Sequence, residues 1–220
     1  MSMNNNKSTK ALDFFRDNQN IILGIVGGIV LIVAVYFGYK NWIVGPKDKR
    51  AVDQMYQAQF MFDKDSFQLA LTNPGVGGTG FIKIADNYSG TKSGNLAKYY
   101  AGICYLNLGN YDKAIQYLES YKEGSNLLAP MKYAALGDAY SEKNNDQKAL
   151  DYYSKAAKLS KDESTGPYVY KKLAMFQEKM KKYAEAEKTY THLRETYPRS
   201  AESTPAEAHI ERLKLLSGAK

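Results

Sequence analysis

A block of small and apolar residues recurs along the C-terminal half of the chain, and its spacing constrains the fold more than any other feature. Ala101-Gly102-Ile103-Cys104-Tyr105 aligns with Leu136-Gly137-Asp138-Ala139-Tyr140 and with Leu173-Ala174-Met175-Phe176-Gln177. The central small residues at 102, 137 and 174 lie 35 and 37 positions apart. Twelve residues after each stands an alanine (Ala114, Ala149, Ala186), and sixteen after each a large side chain (Leu118, Tyr153, Tyr190). A period of this length, with small and large positions kept in phase, reads as one helix–turn–helix unit stacked three times. Small residues at Gly102/Ala114 and Gly137/Ala149 let the helices of a hairpin approach, while aromatic rings fill the space between hairpins. Seventeen of the 19 tyrosines fall in 51–220, in keeping with such a stack.

The pattern resembles the tetratricopeptide repeat. Gly109-x-Tyr111 marks the turn of the first unit, Tyr183 stands at the equivalent place in the third, and Pro198 follows 24 residues after Ala174. The departures are Asn144 where the turn glycine sits, and Ala174 and Gln177 in the third unit, which predict less regular packing of that hairpin. Upstream, Arg50 to Leu71 reads as one long helix and Phe81 to Tyr88 as a shorter one, together a degenerate first hairpin. Downstream, Pro205 to Leu216 reads as the polar-faced capping helix that the end of a repeat stack needs. The expected fold class is all-α, a single N-terminal transmembrane helix followed by a repeat solenoid.

Residues 21–39 carry no charge in 19 positions. At ~1.5 Å per residue such a helix spans roughly 28 Å, close to the hydrocarbon thickness of a bilayer. The run ends in bulky residues, Tyr36-Phe37-Gly38-Tyr39-Lys40-Asn41-Trp42, with no small-x-small cleavage site, so a retained signal anchor is expected. Tyr36, Tyr39 and Trp42 suit one interfacial belt, and Phe14 and Phe15 the other. Gly24 and Gly28 form G-x-x-x-G with Gly27 beside them, a pattern that lets a second helix approach inside lipid and that also arises by chance. The organisation read from the sequence is a tail at 1–20, an anchor at 21–43, a juxtamembrane segment and degenerate hairpin at 44–94, three repeats at 95–198 and a cap at 199–220.

The net charge of +7 is unevenly placed. Lys40, Lys47, Lys49 and Arg50 against Asp48 put +3 beside the span, where anionic headgroups would attract it. Residues 51–220 hold 23 basic against 20 acidic side chains, too balanced for a nucleic-acid binder. Three basic side chains precede the span and four follow it, so the count selects no orientation.

The residues that carry chemistry elsewhere lack their context here. Gly75, Gly77 and Gly80 satisfy G-x-G-x-x-G, but a helix is expected before them and no strand, so a loop is the reading. His192 and His209 stand apart from any metal-ligand spacing, and the one cysteine, Cys104, sits in an apolar helical run. No enzyme activity, metal or cofactor is expected. Lys171, Lys172, Lys179, Lys181 and Lys182, opposed by Glu178 alone, form either a solvated face or a contact for acidic partners or headgroups.

The whole chain is also similar to the YfgM-like ancillary subunits of the bacterial Sec translocon. The stretch Asn87-Tyr88-Ser89-Gly90-Thr91-Lys92-Ser93-Gly94-Asn95-Leu96-Ala97, then Tyr99-Tyr100-Ala101-Gly102, looks like the form found in Bacteroidetes-type bacteria. The resemblance implies a bacterial inner-membrane protein, single-pass, with its N-terminus cytoplasmic and its repeats periplasmic. It implies as partners the Sec translocon channel subunits, a membrane-anchored periplasmic prolyl isomerase of the PpiD type, and unfolded polypeptides in a chaperone-like handover. By analogy with the repeat family, the first helix of each hairpin lines a groove. Its inward positions would be Tyr99, Ile103, Leu106 and Asn107, then Met131, Asp138 and Ser141, then Tyr168, Lys171, Met175 and Glu178. The alternative for these positions is packing against neighbouring helices. Tyr99 and Ile103 stand where some repeat domains clamp a C-terminal carboxylate, which argues against a chaperone-tail receptor. The alternative function is a scaffold subunit of another envelope assembly, in outer-membrane protein insertion or protein secretion.

Overall fold

The structure, a computed structural model, describes residues 16–124, 127–216 and 218. Most of the N-terminal tail, with Phe14 and Phe15, lies outside the described residues. The chain divides into two compact units, Met1–Lys49 and Arg50–Lys220.

In the first unit, helix α1 (Gln19–Tyr39) buries no side chain. A π-helical turn (Lys40–Val44) follows it. That wider turn lies just before Pro46, whose ring and missing N–H would break a regular α-helical ladder. Helix α2 (Gly45–Phe62) then begins. The helical run Gln19–Phe62 holds a stretch of mean hydropathy 2.7, none of it buried, long and apolar enough to cross a membrane. Gly24, Gly27 and Gly28 have open space where a Cβ would stand.

The second unit is helical, and the described residues contain no strand. The long helix expected from Arg50 to Leu71 is interrupted: α2 stops at Phe62 and α3 (Phe67–Thr72) starts a new direction. The break falls in Asp63-Lys64-Asp65-Ser66, where Asp65 takes a left-handed φ of 54°. Aspartate tolerates that conformation, and the turn brings Phe62 and Phe67 into an edge-on pair at 5.6 Å. Helix α4 (Phe81–Asn87) closes this irregular hairpin.

Three regular hairpins follow: α5 (Lys92–Asn107) with α6 (Tyr111–Ser120), α7 (Leu128–Glu142) with α8 (Asp146–Leu159), and α9 (Gly166–Lys179) with α10 (Tyr183–Thr196). Asn110 and Asn145, 35 residues apart, cap α6 and α8 by accepting from the backbone N–H of Lys113 and Lys148. The turns are built alike. Gly109, Asn144 and Lys181 each take a positive φ, of 73°, 57° and 58°. Helix α11 (Ser203–Leu216) ends the stack and buries Ala206, Ile210 and Leu213 against Tyr190 and Leu193.

The close approach within hairpins has a more specific cause than paired small residues. A Cβ on Gly102 would lie 2.6 Å from Cγ of Leu118, and one on Gly137 would lie 2.7 Å from the Tyr153 ring. Each glycine therefore accommodates the large side chain sixteen residues later. The alanines twelve residues on are fully buried in their own right. In the third hairpin Ala174 and Ala186 are fully buried, and buried Gln177 accepts a hydrogen bond from Thr189 Oγ1 at 2.7 Å. The two residues expected to make this hairpin less regular, Ala174 and Gln177, are thus both accommodated in its interior.

Candidate functional site

Helices α5, α7 and α9 are the first members of successive hairpins, and their exposed faces line two adjoining cavities. The larger, of about 830 Å³, is walled on α5 by Tyr99, Tyr100, Ile103, Leu106 and Asn107, and on α7 by Leu128, Met131, Ala135, Asp138 and Glu142. Phe62 and Tyr111 complete it, and Tyr168 and Lys172 of α9 form its far wall. The second, of about 490 Å³, lies beyond that wall, lined by Tyr168, Lys171, Lys172, Met175, Phe176, Lys179 and Tyr153.

The aromatic end is built from packed rings. Tyr100 stacks on Phe81 at 5.0 Å and meets Phe62 edge-on at 5.1 Å. Tyr99 packs on Tyr121 at 5.5 Å and is largely buried, which pushes its phenol well above the ordinary tyrosine range.

Between the two cavities sits a charged pair. Lys172 Nζ donates to both oxygens of Asp138, at 2.6 and 2.9 Å, and Tyr153 Oη donates to Oδ1 at 2.6 Å. Burial alone would lower the Lys172 ammonium; the charge and hydrogen bonds of Asp138 outweigh it and hold the pKa above the lysine norm. Burial first, then the Asp138 charge, raises the Tyr153 phenol strongly.

Of the groove positions named from the sequence, Tyr99, Ile103, Leu106, Asn107, Met131, Asp138 and Tyr168 come together in the first cavity. Lys171 and Met175 stand in the second, which shares Tyr168. Ser141 and Glu178 line neither cavity. Ser141 accepts from Lys179 Nζ at 3.1 Å. Glu178 faces the capping helix, where it pairs with His209 Nδ1 at 3.1 Å and with Arg212. Sequence reasoning missed Phe62, because the helix break that turns it inward was not foreseen. It also missed Lys172 and Glu142 as lining residues. A signal for Lys172 exists: it stands 34 residues after Asp138, about one repeat, as Arg212 does after Glu178.

The lysine run is mostly neutralised within the domain. Lys172 pairs with Asp138, Lys179 with Asp146 at 3.2 Å, and Lys182 with Glu185 at 2.9 Å. Lys171 and Lys181 have no acidic partner among the described residues.

The other candidates for chemistry are taken up by packing. Gly75 and Gly77 adopt positive φ in the loop after helix α3, not after a strand, and a Cβ on Gly80 would lie 2.3 Å from the Leu71 carbonyl oxygen. His192 packs on Tyr170 at 4.6 Å and His209 stacks on Tyr190 at 4.8 Å. Cys104 is buried, which pushes its thiol up to about 12. No group of three or more His, Cys, Asp or Glu side chains able to hold a metal is present among the described residues.

No curated protein matches the chain. Residues 96–123 and 170–200 match one tetratricopeptide-repeat family model and residues 133–166 another. The three hairpins that carry the two cavities thus bear tetratricopeptide repeats, a protein–protein interaction module, in a chain with one helix apolar and long enough to span a membrane.

Proposed function

We propose that this chain is a non-enzymatic, membrane-anchored interaction subunit whose groove receives a segment of a protein partner. The observation that carries the reading is the pair of adjoining cavities on α5, α7 and α9, walled by Tyr99, Ile103, Leu106, Met131, Tyr168 and Met175. Methionine and tyrosine walls adapt to varied apolar side chains while keeping a polar edge, which suits helices or unfolded segments. The assignment is to the Sec translocon, with channel subunits and an anchored periplasmic prolyl isomerase as partners and emerging polypeptides as clients. It follows from the resemblance of the whole chain to YfgM-like subunits, which also puts the N-terminus in the cytoplasm of a bacterial inner-membrane protein. The segment at 21–43 serves as the anchor, with Gly24, Gly27 and Gly28 as its contact face toward another helix. Residues 95–198 form the recognition array and 199–220 its cap.

The test is a mild-detergent pull-down of the tagged full-length chain with mass spectrometry of what is retained. Channel subunits and an anchored isomerase are expected to dominate, and a Gly24→Leu/Gly28→Leu variant is expected to lose the channel but keep groove-dependent partners. Retention of outer-membrane assembly or secretion components instead would move the chain to a scaffold role there. Recovery of the protein alone would remove the translocon reading.

A further inference from the structure

The charges lining the two cavities are not all matched. In the first cavity the charged side chains are Asp138, Glu142 and Lys172; in the second they are Lys171, Lys172 and Lys179. Asp138 and Lys172 neutralise each other at the shared wall, and Lys179 is neutralised by Asp146 from outside the lining. Among the described residues Glu142 receives only a neutral phenol, Tyr111 Oη at 3.2 Å, and Lys171 has no acidic partner. The groove therefore keeps one exposed carboxylate in its first cavity and one exposed ammonium in its second, with apolar side chains and the matched Asp138–Lys172 pair between them.

We infer that the groove selects a bipolar segment: a cation for Glu142, apolar side chains against Met131, Tyr168 and Met175, and a carboxylate for Lys171. This rests on the proposed use of the groove for partner binding and specifies the chemistry of the occupant. The physical ground is charge complementarity. A partner carboxylate placed beside Glu142, or an ammonium beside Lys171, meets a like charge, whereas opposite charges fix the segment and exclude uniformly charged competitors. The matched pair in the middle contributes no preference, because Asp138 is already occupied by Lys172 and Tyr153. Either chain direction satisfies the rule, so the selection is for charge at both ends and not for sequence polarity.

The experiment uses the full-length chain in detergent micelles with carbon-13 methyl-labelled methionine, since Met131 and Met175 report on the first and second cavities separately. Four synthetic peptides share one Leu/Phe core and carry Lys and Glu, Glu and Glu, Lys and Lys, or Gln and Gln at its two ends. The bipolar peptide is expected to shift both methyl signals and to bind at least tenfold more tightly than the Gln-flanked one. Lys171→Glu is expected to transfer that preference to the doubly basic peptide. Both Glu142 and Lys171 are exposed, so the substitution leaves the core untouched. If all four peptides shift both methyl signals with affinities within twofold, the bipolar selection is overturned while the groove remains a binding site. If no peptide moves either signal, the groove reading itself falls, and this inference with it.

Discussion

Lys172 on α9 reaches back one repeat to hold both oxygens of Asp138 on α7, at 2.6 and 2.9 Å. The side chains are 27% and 25% exposed, so the pair is neither a screened surface contact nor a dry interior one. Breaking a buried pair by removing one partner costs about 3–5 kcal/mol, and surface pairs contribute at most about 1 kcal/mol. Asp138→Ala is therefore expected to destabilise the domain by about 2 kcal/mol, since it strands both the ammonium and the Tyr153 phenol. Lys172→Met, which keeps the aliphatic packing, is expected to cost less. A double-mutant cycle by urea unfolding of the full-length chain should return a coupling of about 1–2 kcal/mol. Additive effects would show that the pair is incidental.

The same cluster sets an alkaline limit. Tyr153 and Lys172 both bind their protons more tightly folded than unfolded, with ordinary values of 10.0 and 10.5. Groups with raised folded pKa values stabilise fully below the unfolded values, and that contribution is lost as pH rises through the folded ones. Stability contributed by this cluster should be flat to about pH 9 and fall above about pH 10. Asp138→Ala should shallow the fall without abolishing it, because burial remains the first cause of the Tyr153 shift. Urea midpoints at stepped pH, with phenolate absorbance followed in parallel, check both the limit and its assignment.

Gly137 offers a test of hairpin packing with the sign fixed by geometry. A methyl group there would stand 2.7 Å from the ring of Tyr153, which is itself held by Asp138 and packed on Phe176 at 5.0 Å. The ring cannot retreat without breaking those contacts, so Gly137→Ala should cost about 1–3 kcal/mol despite the better helix propensity of alanine. Gly102→Ala meets Leu118 at least as closely, with Cγ at 2.6 Å and the backbone N at 3.2 Å of a fully buried residue, and should cost a similar amount. Thermal unfolding of the two variants by circular dichroism measures both costs, and a stabilised protein in either case would contradict the packing described.

How far the sequence discloses this structure depends on whether contacts run within a repeat or between repeats. Gly102 with Leu118 and Gly137 with Tyr153 recur at the same offset of sixteen, so periodicity alone exposes the hairpins, while the caps at Asn110 and Asn145, although 35 residues apart, emerge only from the structure. Contacts from one hairpin to the next depend on the stagger of the stack, which no single repeat encodes. That is why the lysine run looked like a cationic face, when Lys172, Lys179 and Lys182 are each neutralised, two of them by the preceding hairpin. Glu178 illustrates the converse. Its position in the repeat pattern pointed to the groove, but the capping helix offers Arg212 and His209, and the carboxylate turns there. The break at Asp63–Ser66 was hidden by the apolar pattern on either side of it. Four consecutive polar residues were the signal available.

The three hairpin turns place a different residue under the same backbone demand, and this yields a stabilising substitution. Gly109, Asn144 and Lys181 occupy equivalent left-handed positions, with φ between 57° and 73°. In each turn that residue donates its N–H three residues back, and the next residue donates five back: Lys181 to the Glu178 carbonyl at 2.8 Å and Lys182 to Gln177 at 2.9 Å. Glycine meets this conformation without strain, asparagine tolerates it, and a lysine Cβ costs about 1–2 kcal/mol there. The extra freedom of glycine in the unfolded chain offsets about 0.5–1 kcal/mol of the gain. Lys181 is exposed and has no acidic partner among the described residues, so little else is lost with the side chain. Lys181→Gly should therefore raise stability by about 0.5–1 kcal/mol, Asn144→Gly should be nearly neutral, and Gly109→Ala should destabilise by about 1 kcal/mol. Lys181→Ala, which keeps the Cβ, should gain nothing. Urea unfolding of the four variants decides the matter, and a Lys181→Gly protein no more stable than Lys181→Ala would show that the turn carries no strain to relieve.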